Sequence, residues 1–159
     1  MKTNSFEFEK IDLLNQSHII CKNELISSDN SEFVSKDINN YINRNFELGN
    51  KDKITATYVV NYKDNQVGLA FVNYHPEIER EGKILEEEIE IGLGIINKYR
   101  GMHLGKLIEK ELCDKLLELY PKIDYIVARI DNDNIISIKS AIKSGFEYYK
   151  NDEYRYKRK

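Results

Sequence analysis

The spacing of apolar residues along this 159-residue chain predicts alternating strands and helices. At 89–95, branched apolar residues alternate with glutamate and glycine, which is the period of a strand with two different faces. From Leu104 the apolar positions recur every three or four residues, as they do on one face of a helix. Pro121 ends this helix, and another strand is predicted at 123–130. A strand, helix and strand in this order form a right-handed crossover, so the two strands are expected to be parallel.

The remaining elements are predicted from shorter patterns. One or two helices are expected within 15–50, with a start signal at 29–31, and a short helix should end at Gly145. The charged segment 77–83 is expected to be a loop. A first strand is predicted at 5–11. Two hairpins are predicted, one from strands at 54–62 and 67–74 and one from strands at 146–150 and 154–158.

Length and composition limit the organisation of the protein. With 159 residues, 41% of them hydrophobic, the chain can form one good core, so we expect a single domain over 1–159. No stretch approaches the roughly 18 apolar residues of a membrane span, and we expect a soluble cytoplasmic protein. Cys21 and Cys113 are far apart, which predicts neither a disulfide nor a metal site. The net charge of −3 disfavours general nucleic-acid binding, and the basic run 155–159 is expected to be a solvated tail.

The turn at 100–106 is the strongest candidate for a binding site. A strand that turns into a helix gathers unpaired backbone N–H groups and the positive end of the helix dipole, which together favour phosphate. Two common phosphate motifs do not fit. A P-loop would need one more residue between Gly101 and Gly105, and a dinucleotide fingerprint would need glycine in place of Asn97.

Two segments of the chain resemble the GNAT acetyltransferase superfamily. Residues 100–105 are similar to its Arg/Gln-x-x-Gly-x-Gly/Ala turn, with His103 in place of the first glycine of the motif. Residues 134–146 resemble its Asn-x-x-Ser/Ala helix that closes in Gly-Phe. Within this helix, Ser137 resembles a serine of the branch that acetylates ribosomal-protein N-termini. The resemblance implies an α/β fold, with a mixed sheet, a splayed parallel pair at its centre and helices on both faces.

This resemblance also implies an activity and a cosubstrate. The enzyme would transfer an acetyl group from acetyl-coenzyme A to a primary amine of a small molecule or a protein, without a metal. The backbone of Ile95 and Ile96 would contact pantetheine, Arg100 would lie at the edge of the pyrophosphate, and Asn134 would approach the cofactor. The amides that would hold the pyrophosphate belong to Gly101, Met102, His103, Leu104, Gly105 and Lys106. The amide of His103 can donate only if this position does not need a positive φ.

The resemblance gives less guidance on proton transfer. Attack requires a neutral amine, and Glu90 is our first candidate for the base because it shares a strand face with Gly92 and Gly94. The alternative is that Glu90 only continues a solvated run of glutamates at 86–88. Ser137 could hydrogen-bond the leaving sulfur or simply cap its helix. Ala141 replaces the tyrosine that acts as an acid in many relatives, and the side chain of His103 is not expected to be catalytic.

Two other functions are compatible with the sequence. The missing tyrosine and the altered turn would also suit a non-catalytic module that binds acyl-coenzyme A. An acetyltransferase directed to RNA or tRNA could use the basic run 155–159, although nucleic acid is the less favoured partner. The sequence does not identify the acceptor amine. It is compatible with a homodimer.

Overall fold

The computed structural model describes residues 6–28, 38–43, 55–76, 78–85 and 87–159. Its helices are α1 (Gln16–Ser28), α2 (described at 38–43), α3 (Leu104–Leu119) and α4 (Ile135–Ser144), and a 3₁₀ helix covers Asn97–Tyr99. Its strands are β1 (Glu7–Lys10), β2 (Ala56–Tyr62), β3 (Asn65–His75), β4 (Ile78–Arg80), β5 (Lys83–Leu85), β6 (Glu88–Ile95), β7 (Tyr125–Arg129), β8 (Glu147–Lys150) and β9 (Glu153–Lys157).

Seven of these strands form one mixed sheet in the order β1-β2-β3-β6-β7-β9-β8. Strands β6 and β7 are parallel, with Ile89 opposite Ile126 and Glu90 opposite Val127. The outer pairs β1–β2, β2–β3, β7–β9 and β8–β9 are antiparallel. The predicted α/β class and the parallel pair joined through a helix are therefore confirmed.

The chain divides into two compact units, formed by 1–72 with 93–104 and by 73–92 with 105–159. In the first unit, α1 buries Cys21 and Leu25 in a core that includes Leu69 and Phe71 of β3. The β2–β3 hairpin turns through Lys63 and Asp64, both with positive φ, which suits a two-residue turn between twisted strands. The prediction of a single domain over 1–159 stays a prediction.

In the second unit, α3 buries an apolar face and is hydrogen-bonded to β9. Ile108 and Leu112 are buried, and the hydroxyl of Tyr156 donates to Oδ1 of Asp114 at 2.6 Å. Burial, followed by the neighbouring Asp114 carboxylate, raises the pKa of Tyr156 to about 12, so the hydroxyl keeps its proton. Helix α4 ends as predicted at Gly145, whose φ of 117° is the left-handed conformation of a helix C-cap.

Two predictions about charged segments are wrong. The segment predicted to be a loop at 77–83 contains strand residues, because β4 and β5 pair across a turn at Glu81 and Gly82, which have φ of 52° and 74°. Residues 155–159 are not a solvated tail, because 155–157 belong to β9 and Tyr156 is only 3% exposed. The start signal expected at 29–31 lies outside the described residues, and α1 begins earlier, at Gln16.

Candidate active site

The turn between β6 and α3 has the geometry of an anion site. Gly101 adopts φ of 79°, and a side chain there would meet no atom within 4 Å, so its backbone conformation rather than lack of space favours glycine. Helix α3 begins at Leu104, and the first N–H groups of any helix lack an intrahelical acceptor. These donors and the positive end of the 16-residue helix lie where the sequence predicted a phosphate site.

His103 has a positive φ of 59°, so the condition set from the sequence for its amide is not met. Histidine tolerates the left-handed region better than most residues other than glycine, which explains how it can replace the glycine of the motif. Its side chain is exposed. The backbone at this position therefore follows the glycine-like course of the motif, with strain that glycine would not have.

Some backbone groups at the end of β6 already make hydrogen bonds within the protein. The N–H of Ile96 donates to the carbonyl of Val67 at 2.9 Å, and the carbonyl of Ile96 accepts from the N–H of Tyr99 at 2.9 Å. Nε of Arg100 donates to the carbonyl of Ile95, also at 2.9 Å, which fixes the guanidinium beside the turn. Of the two residues predicted to contact pantetheine, only Ile95 has an N–H that these bonds do not use.

Helix α4 begins at the predicted Asn134. The side-chain oxygen of Asn134 accepts from the N–H of Ser137 at 3.3 Å, so Asn134 is the N-cap of the helix. Ser137 is half-buried, and Ala141 is 1% exposed. The missing tyrosine is thus replaced by a small buried side chain that has no proton to donate.

Glu90 belongs to a cluster of charged side chains that is centred on Arg129. Nη1 of Arg129 lies 3.2 Å from Oε1 of Glu90, and Nη2 lies 3.1 Å from Oε2 of Glu88 and 3.6 Å from Oε1 of Glu153. Nε2 of His75 lies 3.3 Å from the same Oε1 of Glu90. The side chain of Glu90 is only 18% exposed, so it does not simply continue a solvated run of glutamates.

A second guanidinium supports this cluster from β9. Nε of Arg155 donates to Oε2 of Glu153 at 2.7 Å, and its guanidinium stacks between the rings of Tyr125 and Tyr149, 4.1 Å and 3.5 Å from their centroids. A guanidinium held between two aromatic faces loses little by being ordered. Glu153 is therefore fixed by two arginines, Arg129 and Arg155.

Sequence analysis missed most of this cluster. Glu88 was assigned to the solvated run, yet it is 2% exposed and paired with Arg129. One signal was available, because Glu88 and Glu90 are two residues apart and so lie on one face of their strand. No local pattern indicated His75, Arg129 or Glu153, which come from three other strands.

The two cysteines are packing residues. Cys21 and Cys113 are buried and free, and Sγ of Cys21 donates to the carbonyl of Gly68 at 3.7 Å. Burial raises the pKa of the Cys21 thiol to about 11 and that of Cys113 well above its usual value, so neither is a thiolate near neutral pH. Among the described residues, no three metal-binding side chains cluster. No described helix has the length and apolar character to span a membrane.

Comparison with known proteins identifies the family. The model of the acetyltransferase (GNAT) domain matches residues 20–147 of this chain, which is most of its length. The chain belongs to the GNAT acetyltransferase family. A search of curated protein sequences finds no match.

Solved structures share the fold over nearly the whole chain. The ribosomal-protein N-acetyltransferase RimL with coenzyme A has a TM-score of 0.63 at 15% identity, over 96% of this chain and 92% of its own. The N-acetyltransferase PseH of Campylobacter jejuni with acetyl-coenzyme A has 0.61 at 15%, over 95% and 96%. The aminoglycoside acetyltransferase AAC(6')-Ib with coenzyme A and kanamycin has 0.65 at 14%, over 97% and 95%.

Family membership makes this GNAT protein an acetyl-coenzyme A-dependent N-acetyltransferase. The predictions of family, fold and reaction class are thereby confirmed. The roles assigned to individual residues from the motif stay predictions, as do the cytoplasmic location, a homodimer and the absence of a metal.

Proposed function

We propose that the enzyme transfers the acetyl group directly to a primary amine while the turn at 100–106 holds the coenzyme A pyrophosphate. The observation that carries this proposal is the left-handed backbone at Gly101 and His103 immediately before the first turn of α3. This backbone and the helix start together supply N–H donors without side-chain charge, which suits a pyrophosphate group.

The described geometry supports the following proposals for the other cofactor contacts. Ile95 contacts the pantetheine arm through its N–H, while Ile96 contributes mainly to packing because both its backbone groups are engaged. Arg100, anchored on the Ile95 carbonyl, places a positive charge at the edge of the pyrophosphate. Asn134 uses its side-chain oxygen for the helix cap, so its NH₂ group is the part that approaches the cofactor.

The reaction requires two proton transfers. A free alkylamine is almost wholly protonated at pH 7, so one proton must leave before the nitrogen attacks the acetyl carbon. As the C–N bond forms and the C–S bond breaks, a second proton from the nitrogen balances the departing thiolate. Glu90 supplies the negative charge for the first proton transfer. Ser137 lies on α4, and its hydroxyl is the candidate donor of a hydrogen bond to the sulfur.

The first experiment tests cofactor binding. Millimolar or lower acetyl-coenzyme A should raise the melting temperature by mass action. Gly105→Glu should abolish this shift, because it puts a carboxylate against the pyrophosphate at the second residue of α3. Leu119→Glu is the matched control, since it adds the same charge at the exposed last residue of the same helix and should preserve the shift. An unchanged shift in the Gly105 variant would place the phosphate site elsewhere.

An amine panel tests the acceptor class. RimL acts on a ribosomal protein and AAC(6')-Ib was solved with kanamycin, so the panel contains a short peptide with a free N-terminus, kanamycin, spermidine and lysine. Acetylated products are measured by mass spectrometry. A melting shift without any acetylation would favour the alternative of a non-catalytic acyl-coenzyme A binding module, which the buried Ala141 supports.

The role of Glu90 is tested by removing its charge while keeping its shape. Glu90→Gln should lower turnover of the best panel amine by roughly 10² to 10⁴, the usual contribution of a positioned base, while the acetyl-coenzyme A shift stays unchanged. The loss should shrink as pH rises, because more of the amine then arrives neutral. The control is Glu87→Gln, an exposed glutamate next to the same strand, which should retain full activity. Equal activity of the two variants at neutral pH would refute the role of Glu90.

A further inference from the structure

His75 belongs to the Arg129 cluster through its contact with Glu90, and the proposed reaction does not yet use its imidazole. It is the last residue of β3, and its side chain is 27% exposed, so one part of the ring is in contact with the protein and another with solvent. Its Nε2 faces Oε1 of Glu90 at 3.3 Å. No partner for Nδ1 is found among the described residues.

The contact with Glu90 determines which ring nitrogen carries the proton. An ionised carboxylate only accepts hydrogen bonds, so Nε2 of a neutral His75 must be the donor. Nδ1 then keeps its lone pair and can accept a proton. Oε1 of Glu90, by contrast, already contacts both Arg129 and His75, so a proton on that oxygen would have to displace one of these contacts.

We infer that Nδ1 of His75 takes the first proton from the acceptor ammonium and that Glu90 orients the imidazole for this transfer. The inference rests on the proposed acetyl transfer and names the atom that receives the proton. Arg129 is a positioning residue, because it contacts the same Oε1 of Glu90 as His75 does and also pairs with Glu88 and Glu153.

The proton transfers balance without an additional reactant. The ammonium gives one proton to Nδ1, and the resulting imidazolium is paired with the Glu90 carboxylate. The neutral amine attacks the acetyl carbon, the C–S bond breaks, and the second proton from nitrogen goes to the thiolate of coenzyme A. His75 then returns its proton to solvent through its exposed edge.

The charges around this pair nearly balance. Glu88 and Glu90 lie on β6, Arg129 on β7, and Glu153 and Arg155 on β9, which gives three carboxylates against two guanidiniums. A proton on His75 brings the group to neutrality. The cluster therefore accommodates the imidazolium form without leaving an unpaired positive charge.

The first test uses His75→Gln. The amide nitrogen of glutamine can still donate to Glu90, but no atom of this side chain takes up a proton. At neutral pH, kcat/KM for the best panel amine should fall by roughly 10² to 10⁴, with an unchanged acetyl-coenzyme A shift, and the loss should shrink at high pH. Wild-type activity in this variant would overturn the inference.

Chemical rescue separates a proton acceptor from a structural residue. His75→Ala should regain activity in the presence of imidazole, and ring-substituted imidazoles should rescue in the order of their basicity. The acetylated amine is measured by mass spectrometry rather than free thiol, because imidazoles release thiol from acetyl-coenzyme A without enzyme. Rescue that is independent of basicity would mean that the added ring only fills space, and the inference would fail.

The tautomer can be measured without cofactor or acceptor. In ¹⁵N-labelled protein at a pH where His75 is neutral, its ring should be protonated at Nε2. Protonation at Nδ1 would contradict the inference whatever the panel shows. If the tautomer is as expected and acetyl-coenzyme A binds but no amine is acetylated, the proposed reaction fails and this inference falls with it. Full turnover by His75→Gln overturns the inference alone.

Discussion

His103 shows how a single backbone angle determines which side chains the turn at 100–106 accepts. Its φ of 59° lies in a region that costs most L-residues about 1 to 2 kcal/mol, and glycine avoids this cost. Because the side chain is exposed, few packing interactions are at stake. The turn therefore tolerates histidine at the position of the motif glycine but does not require its imidazole.

Two substitutions at this position should act in opposite directions. His103→Gly should leave the free energy of unfolding unchanged or raise it by up to about 1 kcal/mol, whereas His103→Val should lower it by about 1 to 2 kcal/mol because a β-branched residue is strained at positive φ. Urea unfolding measures both. Acetyl-coenzyme A affinity in the glycine variant should stay within about 1 kcal/mol of wild type. Preserved binding with lost turnover would instead assign the imidazole a catalytic role.

At the scale of the element, two glycines determine how closely the backbone of β6 is approached in the first unit. A side chain on Gly68 of β3 would collide with the backbone carbonyl of Gly94. A side chain on Gly94 would instead meet Cδ2 of Leu25 in α1 at 2.9 Å, which is the flexible end of a side chain. The contact at Gly68 cannot relax without moving a strand, whereas the contact at Gly94 can relax by a movement of the Leu25 side chain.

Gly68→Ala should therefore destabilise the protein by about 3 kcal/mol or more, and Gly94→Ala by only about 1 kcal/mol. Leu25→Val, which shortens the opposing side chain, should recover part of the loss in the Gly94 variant and none in the Gly68 variant. Urea unfolding of the wild type, the three single variants and the two double variants gives these differences. Similar losses for the two glycine variants would contradict the close backbone approach.

Helix α3 carries a half-buried carboxyl group that couples stability to pH. Burial raises the pKa of Glu109 to about 7, against the opposing effect of hydrogen bonds from Ser144 and Ser140. A folded-state pKa above the unfolded value of 4.5 means that the folded protein binds the proton more tightly. Stability should thus be full below about pH 4.5, fall as pH rises toward 7, and level off above.

Glu109→Gln should remove this dependence, because glutamine can accept from the serines without a charge. The wild type should lose on the order of 3 kcal/mol between pH 4.5 and 8 from this group, and the variant should be the more stable protein at pH 8. Urea unfolding at a series of pH values measures the difference. Glu118→Gln, an exposed glutamate on the same helix, is the control and should follow the wild type.

At the scale of the whole molecule, the basic C-terminal run is a structural part of the sheet. Strand β9 lies between β7 and β8, and Tyr156 packs on Phe146 with ring centroids 5.5 Å apart. Arg158 donates to the carbonyl of Ile123 at 2.6 Å. These contacts explain why a charged run forms part of a strand, since the alternate aromatic residues of β9 are buried.

Deletion of residues 155–159 should abolish cooperative unfolding, because it exposes both neighbouring strands. The double substitution Lys157→Gln and Lys159→Gln removes charge but keeps the strand, and it should change the free energy of unfolding by less than about 0.5 kcal/mol. Circular dichroism during urea titration distinguishes the two. A folded deletion variant that loses salt-sensitive RNA retention would support the tail as an RNA contact and contradict its structural role.

The sequence by itself determined those features that depend on neighbouring residues. The alternation in β6, the helical spacing of α3, the Asn134 cap and the Gly145 stop are local, and each was predicted from a few residues. The turn at 100–106 was also predictable, because a strand that changes into a helix exposes N–H donors whatever packs around it. The family motif added the reaction, since it lies in these same local segments.

Only the tertiary structure decided which charged residues are buried and what they contact. His75, Glu88, Glu90, Arg129 and Glu153 come from four strands, and their pairing depends on sheet order and register rather than on sequence spacing. A charged side chain can be buried only when partners from other strands compensate its lost hydration. For this reason the glutamates before β6 and the basic residues of β9 were predicted to be solvated, whereas the folded chain pairs several of them.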